Sequence, residues 1–454
     1  MSSFEKDLSK GNVVKQLILF AVPFLVSNII QSCYNVADML IVGNFSGTVS
    51  MSGVNIGGQV TFILTNIVVG LCTGGTVLIA QYLGAQKREE MRRAVATLMT
   101  TLICAAVIIT VVSLLLKTQI LGWIRTPEES FEEASRYLTV TLTGIIFIFG
   151  YNVLSAVMRG MGDSKRPFYF VLIACVTNIV LDLLFVIQFN MGVAGVAWAT
   201  LIAQGMCAVF SFFVLIARLR KMENEEAAKG KSFTFFDMSS AERIAKVGVP
   251  SMLQQSIVSI SMMLMQGLVN SYGKVFVAGY TAATKIDTLA MMPNMNFSNA
   301  MSSYAAQNIG ARKMDRVKQG YKASMFMVVV FSLIITSIIF LFGPQLLGLF
   351  LKQGAEGSAM SYGLSYMKTV SVFYILMGAL FVSNGLLRGA GDMGAFMLSS
   401  VVNLFSRVAI AYLLAHFIGA SAIWWSIPTG WAIGALFSFL RVRSGKWMAR
   451  RLVD

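Results

Sequence analysis

The stretch VPFLVSNIIQSCYNVADMLIVGNF, residues 22–45, decides the fold. It is apolar and long enough to cross a bilayer core of about 30 Å, which takes about 20 helical residues, yet it carries an aspartate, Asp38. Ser27, Gln31, Tyr34, Asn35 and Asp38 recur at spacings of three and four, so a helix gathers them on one face. Lipid cannot solvate that face. A charge at mid-bilayer costs roughly 2.5 to 3.5 kcal/mol, so an acid there marks a functional site unless it only locks helices together.

The rest of the chain is of the same kind. Its 454 residues are 56% hydrophobic and 13% charged, far from soluble globular composition. Apolar runs of spanning length fall near 17–42, 51–80, 94–116, 138–158, 168–188 and 193–217, and again near 246–271, 276–304, 323–350, 367–387, 395–417 and 422–440. None shows the ten-residue alternation of a membrane barrel, so twelve transmembrane helices are expected. Placing the termini and the even-numbered loops on one side puts every Lys and Arg there except Lys117, Arg125, Arg136, Lys274, Lys352 and Lys368 in the odd loops and Lys285 and Arg407 within spans. By the positive-inside rule both termini are cytoplasmic. The net charge of +15 then reflects topology and anionic headgroups, and nucleic acid is not an expected partner. The first span is too long for a signal-peptide core, and five cysteines confined to first-half spans argue against a disulfide framework.

The chain repeats itself. QYLGAQK at 81–87 returns as QNIGARK at 307–313, RGMGDS at 159–164 as RGAGDM at 388–393, Pro23 as Pro250 and Tyr137 as Tyr366. Six crossings return the chain to its starting side, so both halves insert with one orientation around a central cleft. The expected domains are an N-terminal lobe at 1–217, a cytoplasmic linker at 218–245 and a C-terminal lobe at 246–454. Phe233, Phe235 and Phe236 of the linker could rest on the membrane surface. Thr126, Pro127 and Glu129 have the spacing of a capping box that opens a short helix.

Two further acids lie in spans, Asp182 and Asp287. Asn178 shares a face with Asp182, and Thr200 with Gln204. If those faces meet Asp38, the pocket offers two carboxylates, an amide oxygen and a hydroxyl to a small cation. Two poorly solvated carboxylates also disfavour double ionisation, so the same pocket could carry a proton. By the repeat register Asp38 corresponds to Met265, Asp182 to Arg407 and Thr200 to Ile427, and only Asn178 keeps its type, as Asn403, so no second acidic pocket is expected. Asp287 and Lys285 lie in the most polar span, where a Lys285–Asp287 or Arg407–Asp287 ion pair is open. Gln31, Tyr34, Asn35, Gln204, Lys285, Asp287 and Arg407 are candidate cavity-lining groups. The single histidine, His416, is an interfacial side chain on this reading. No nucleophile, base and orienter set occurs, so an enzyme is not expected.

With VPFLVSNIIQSCYNVADMLIVGNF in span one, AQYLGAQ and RGMGD after spans two and four, NIVLD in span five and GVAGVAWAT in span six, the whole chain resembles the multidrug and toxic compound extrusion (MATE) family. The resemblance implies two pseudo-symmetric six-helix bundles in the cell inner (plasma) membrane, rocking between outward-open and inward-open states. It also implies a secondary active antiporter with no cofactor, expelling drugs or toxins that are amphipathic and often cationic against sodium or protons; a monomer is expected because the cleft lies within one chain. The N-lobe cation site of prokaryotic members maps onto Asp38, Asn178, Asp182 and Thr200. Acidic ligands that another branch carries in its seventh and tenth helices are missing here. A lipid-linked precursor flippase of the same broad superfamily is the alternative.

Overall fold

Inside lipid no water serves the backbone, so each apolar run closes its own hydrogen-bond ladder as a helix. The computed structural model describes residues 7–226, 235–351 and 357–453; Phe233, Lys352 and part of the expected linker lie outside them. Among the described residues there are helices and turns and no strand. The first half runs through α1 (Val13–Phe45), α2 (Gly47–Gly84), α3 (Arg88–Leu115), a short α4 (Lys117–Trp123), α5 (Glu128–Thr143), α6 (Ile145–Gly160), α7 (Lys165–Asp182) and α8 (Gly192–Glu226). The second runs through α9 (Met238–Asn270), α10 (Lys274–Gly310), α11 (Met314–Gly348), α12 (Gly357–Ser371), α13 (Tyr374–Ala390), α14 (Met393–Ile418) and α15 (Ser421–Arg443).

Nine described helices are long and apolar enough to cross a membrane, and two bent pairs, α5 with α6 at 52° and α12 with α13 at 53°, bring the number to 11. The twelfth expected span is α10, whose 37 residues extend roughly 55 Å. Its asparagines, Lys285 and Asp287 keep it below the apolarity of the others.

The chain clusters into two compact units, Val22–Met252 and Asp7–Ala21 with Leu253–Asp454. The divisions fall inside α1 and α9, beside Pro23 and Pro250. A proline within a helix removes one ladder hydrogen bond, and near Pro23 the Ser27 hydroxyl donates to the Pro23 carbonyl at 2.8 Å.

The repeated motifs do structural work in each unit. In RGMGD and RGAGD the second glycine, Gly162 or Gly391, takes φ of 81° or 82°, a left-handed turn that ends one helix without a Cβ penalty. Asp163 then accepts from the amides of Lys165 and Arg166 at the start of α7, and Asp392 takes Arg441 at 2.7 Å. QNIGARK is a clasp for the segment leading into α1. The Leu8 amide donates to Gln307 Oε1 at 2.5 Å, Asn308 Nδ2 to the Leu8 carbonyl at 3.2 Å and Lys313 Nζ to the Ser9 carbonyl at 2.9 Å. Arg316 adds a bond to the Gly11 carbonyl at 3.0 Å, while Leu8 and Leu17 are buried.

One local expectation fails. Pro127, not Thr126, precedes the first residue of α5, and no side chain caps it. The Thr126 hydroxyl instead donates back to the Leu121 carbonyl at 2.8 Å, closing the turn after α4.

Candidate cation site

In the first unit α1, α7 and α8 bring Asp38, Asn178, Asp182 and Thr200 together. Asp38, Asn178 and Asp182 are 5%, 2% and 0% exposed. Asn178 Nδ2 donates to Thr200 Oγ1 at 3.3 Å, which turns the amide oxygen away from the threonine. The Asp38 and Asp182 carboxyls come within side-chain hydrogen-bonding reach of each other. Two carboxylates can bond only through a shared proton or a cation. Accordingly Asp38 Oδ1, both oxygens of Asp182 and Asn178 Oδ1 are buried with no hydrogen-bond partner. Each such oxygen costs about 1–3 kcal/mol unless a donor or a cation meets it. Hard oxygens of this kind suit sodium or a proton.

Tyr34 and Tyr137 stand beside the acids, and Gln204 Nε2 reaches the Tyr34 hydroxyl at 3.5 Å. Gln31 is half-buried, whereas Asn35 is exposed. Asn35 lies about 60° around the helix from Asp38, at the edge of the polar stripe, so it does not join the cluster.

Directly after Asp182 the helix widens into a π turn, Leu183–Gln188, a feature that concentrates at functional sites. The regular helix α14 lacks it. Upstream of that turn the halves are anchored by the repeated motif, RGMGD at 159–163 and RGAGD at 388–392, each followed directly by its helix. Asp182 therefore corresponds to Ala411 and Asn178 to Arg407, one turn from the expected register. Met265, Ala411 and Ile427 are 1%, 0% and 2% exposed within the second unit's apolar core.

That unit keeps a different polar cluster. Tyr366 donates to Asp287 Oδ2 at 3.0 Å and Tyr374 to Asp287 Oδ1 at 2.5 Å. Among the described residues neither Lys285 nor Arg407 pairs with Asp287 within 4.0 Å, so neither of the ion pairs left open by the sequence forms directly. Lys285 is exposed and its ammonium sits 5.9 Å from the Phe350 ring centroid. Arg407 lies beside the Tyr280 hydroxyl and acts on Asp287 from a distance.

The MatE family profile matches residues 23–184 and 250–413. A probable multidrug resistance protein, YpnP of Bacillus subtilis (strain 168), is 30% identical over 453 residues, 98% of each chain. The chain belongs to the MATE family. A probable multidrug resistance protein NorM of Thermotoga maritima is 25% identical, covering 100% of this chain and 97% of the other. In structure the chain resembles a transporter of the MOP superfamily from Pyrococcus furiosus, with a TM-score of 0.88, 24% identity and coverage of 97% and 98%. The protein is thus a multi-pass membrane transporter of the MATE family and not an enzyme, and its relatives' names do not favour the flippase alternative.

The tyrosines on Asp287 are the MATE chain's functional-looking residues that sequence reasoning missed. Tyr366 was visible as the repeat of Tyr137; Tyr374 carried no signal, because its reach to Asp287 depends on the α12–α13 bend.

Proposed function

We propose that the chain is a secondary active antiporter of the inner (plasma) membrane with cytoplasmic termini, exporting amphipathic, often cationic small molecules in exchange for sodium or protons by alternating access. The reading rests on one observation above others, the unpartnered oxygens of Asp38, Asn178 and Asp182 in a lipid-shielded pocket. The multidrug names of its relatives supply the substrate class.

Entry of a cation or proton from outside neutralises Asp38 and Asp182 and supplies the missing partner of Asn178 Oδ1. That removes the repulsion between the two acids and lets α1 repack, releasing the drug outward. Loss of the ion inside restores the charged, drug-accepting form. Each inward elementary charge contributes about 2.3 kcal/mol per 100 mV, enough to sustain a modest substrate gradient. One chain holding both halves is read as a monomer in its lipid.

Asp38→Asn mimics permanent neutralisation, and ethidium efflux by this variant in proteoliposomes should be lost while insertion and elution volume stay normal. Undiminished efflux would refute the assignment. Imposing a sodium gradient at fixed pH, then a pH gradient without sodium, identifies the coupling ion.

A further inference from the structure

The second unit has no acid where the first holds Asp38 and Asp182. The counterparts of the four site residues are Met265, Arg407, Ala411 and Ile427, and the three apolar ones are packed into the core. The fourth brings a guanidinium to the position of Asn178. The Asn178 amide oxygen is buried without a partner, one helical turn from Asp182, so a side chain at that position lies near the place where a cation would be held. In α14 the cation is part of the chain.

Its surroundings fit that role. Arg407 is half-buried, and its Nε is enclosed and lacks a hydrogen-bond partner. Gly430 on α15 lets the arginine stem approach, since a Cβ there would stand 3.0 Å from Arg407 Cβ. The groups facing it are the Tyr280 hydroxyl and, beyond, the Asp287 carboxylate, with Tyr366 and Tyr374 on the carboxylate oxygens. Tyr366 packs edge-on against Trp424 at 6.5 Å between centroids, and Tyr374 lies tilted against Trp431 at 6.3 Å. Asp287 is therefore satisfied by neutral donors, with the Arg407 guanidinium beyond Tyr280 as the positive charge on its side of the cluster. It needs nothing from solution, in contrast to Asp38 and Asp182.

We infer that Arg407 is a tethered cation, holding permanently in the second unit the positive charge that the first unit exchanges with solution, so that only one of the two pockets binds a coupling ion. The inference deepens the reading of the Asp38 site and rests on it.

The test is ethidium efflux from proteoliposomes as external sodium, and separately external pH, is varied. Wild type and Arg407→Lys should follow a single-site curve. Arg407→Gln leaves Asp287 without its counter-charge, so the second unit should now recruit an ion, and the Hill slope should rise toward about two. The double variant Asp287→Asn/Arg407→Gln should return to a slope of about one. A wild-type curve from correctly inserted Arg407→Gln overturns the proposal.

A second measurement needs no change at Arg407. In full-length Asp38→Asn protein, titration with sodium or acid across the working range should leave tryptophan emission unchanged, because Trp424 and Trp431 report on the Asp287 cluster. An ion-dependent change abolished by Asp287→Asn overturns the proposal even if Arg407→Gln fails to fold. Failure of the reading of the first pocket looks different, as single-site ion-dependent efflux that survives Asp38→Asn.

Discussion

Asp38 and Asp182 leave three carboxyl oxygens without a donor, whereas each oxygen of Asp287 carries a tyrosine hydroxyl. Hydrogen bonds to a charged group are worth about 1.5–3 kcal/mol each, comparable to the cost of a charge at mid-bilayer. Asp287 is consequently satisfied within the protein, and the other pair is not. Asn178 sits between the two behaviours, donating to Thr200 and offering its oxygen to the pocket. Asn178→Ala removes one ligand and leaves both acids, so the ion concentration for half-maximal efflux should rise roughly tenfold, about 1.4 kcal/mol, with efflux at saturating ion retained. An efflux titration showing no shift would remove Asn178 from the ligand set. The residue types and spacings of this pocket were legible in the sequence, because period-3.6 patterns survive any tertiary arrangement. Its partner register was obscured, since Asn178 and Asn403 match in type one turn away from where the repeated RGMGD and RGAGD motifs align the halves.

At the level of helices, the spans announced themselves by apolarity, but the breaks within two of them did not. The expected spans at 138–158 and 367–387 cover the junctions at Gly144 and at residues 372–373, where the chain bends by 52° and 53°. No proline marks either place; at the first, the chain passes so close to α8 that a Cβ on Gly144 would stand 2.1 Å from Leu201 Cδ1. Small residues set the approach elsewhere too. Gly385 and Gly389, four apart on α13, face the carbonyls of Ser298 and Ser302 on α10, each 2.3 Å from where a Cβ would be. This is the small-residue seam by which membrane helices pack backbone to backbone. Gly385→Ala should destabilise the detergent-solubilised protein by about 1–3 kcal/mol, seen as a lower melting temperature. Gly394→Ala, with open space around it, should melt as wild type does, and equal behaviour of the two variants would contradict the seam.

On the scale of the whole chain, the segments leading into α1 and α9 are each pinned by hydrogen bonds, residues 7–21 within one unit and the start of α9 within the other. In the latter, the Asp237 amide donates to Thr97 Oγ1 at 2.9 Å, Thr100 Oγ1 to the Phe235 carbonyl at 3.1 Å and Arg243 to the Tyr82 hydroxyl at 2.9 Å. Phe235 and Phe236 leave their rings exposed. Ser240, bonding the Asp237 carboxylate, holds that acid below its ordinary value of 3.8. A depressed folded-state value means the contribution is present above 3.8 and is lost as pH falls through the folded value. Asp237→Ala should accordingly lower the melting temperature at neutral pH, and the gap from wild type should close in more acidic buffer, below 3.8. A gap independent of pH would show that the carboxylate is not what holds the segment.

The clasp on Leu8 also sets an order of events during synthesis. Leu8, Ser9 and Gly11 leave the ribosome first, but their partners Gln307, Asn308, Lys313 and Arg316 come some three hundred residues later. At about 5–20 residues per second, the amino-terminal end must wait roughly a quarter of a minute to a minute, its buried leucines without a home, before the last-made half arrives to receive them.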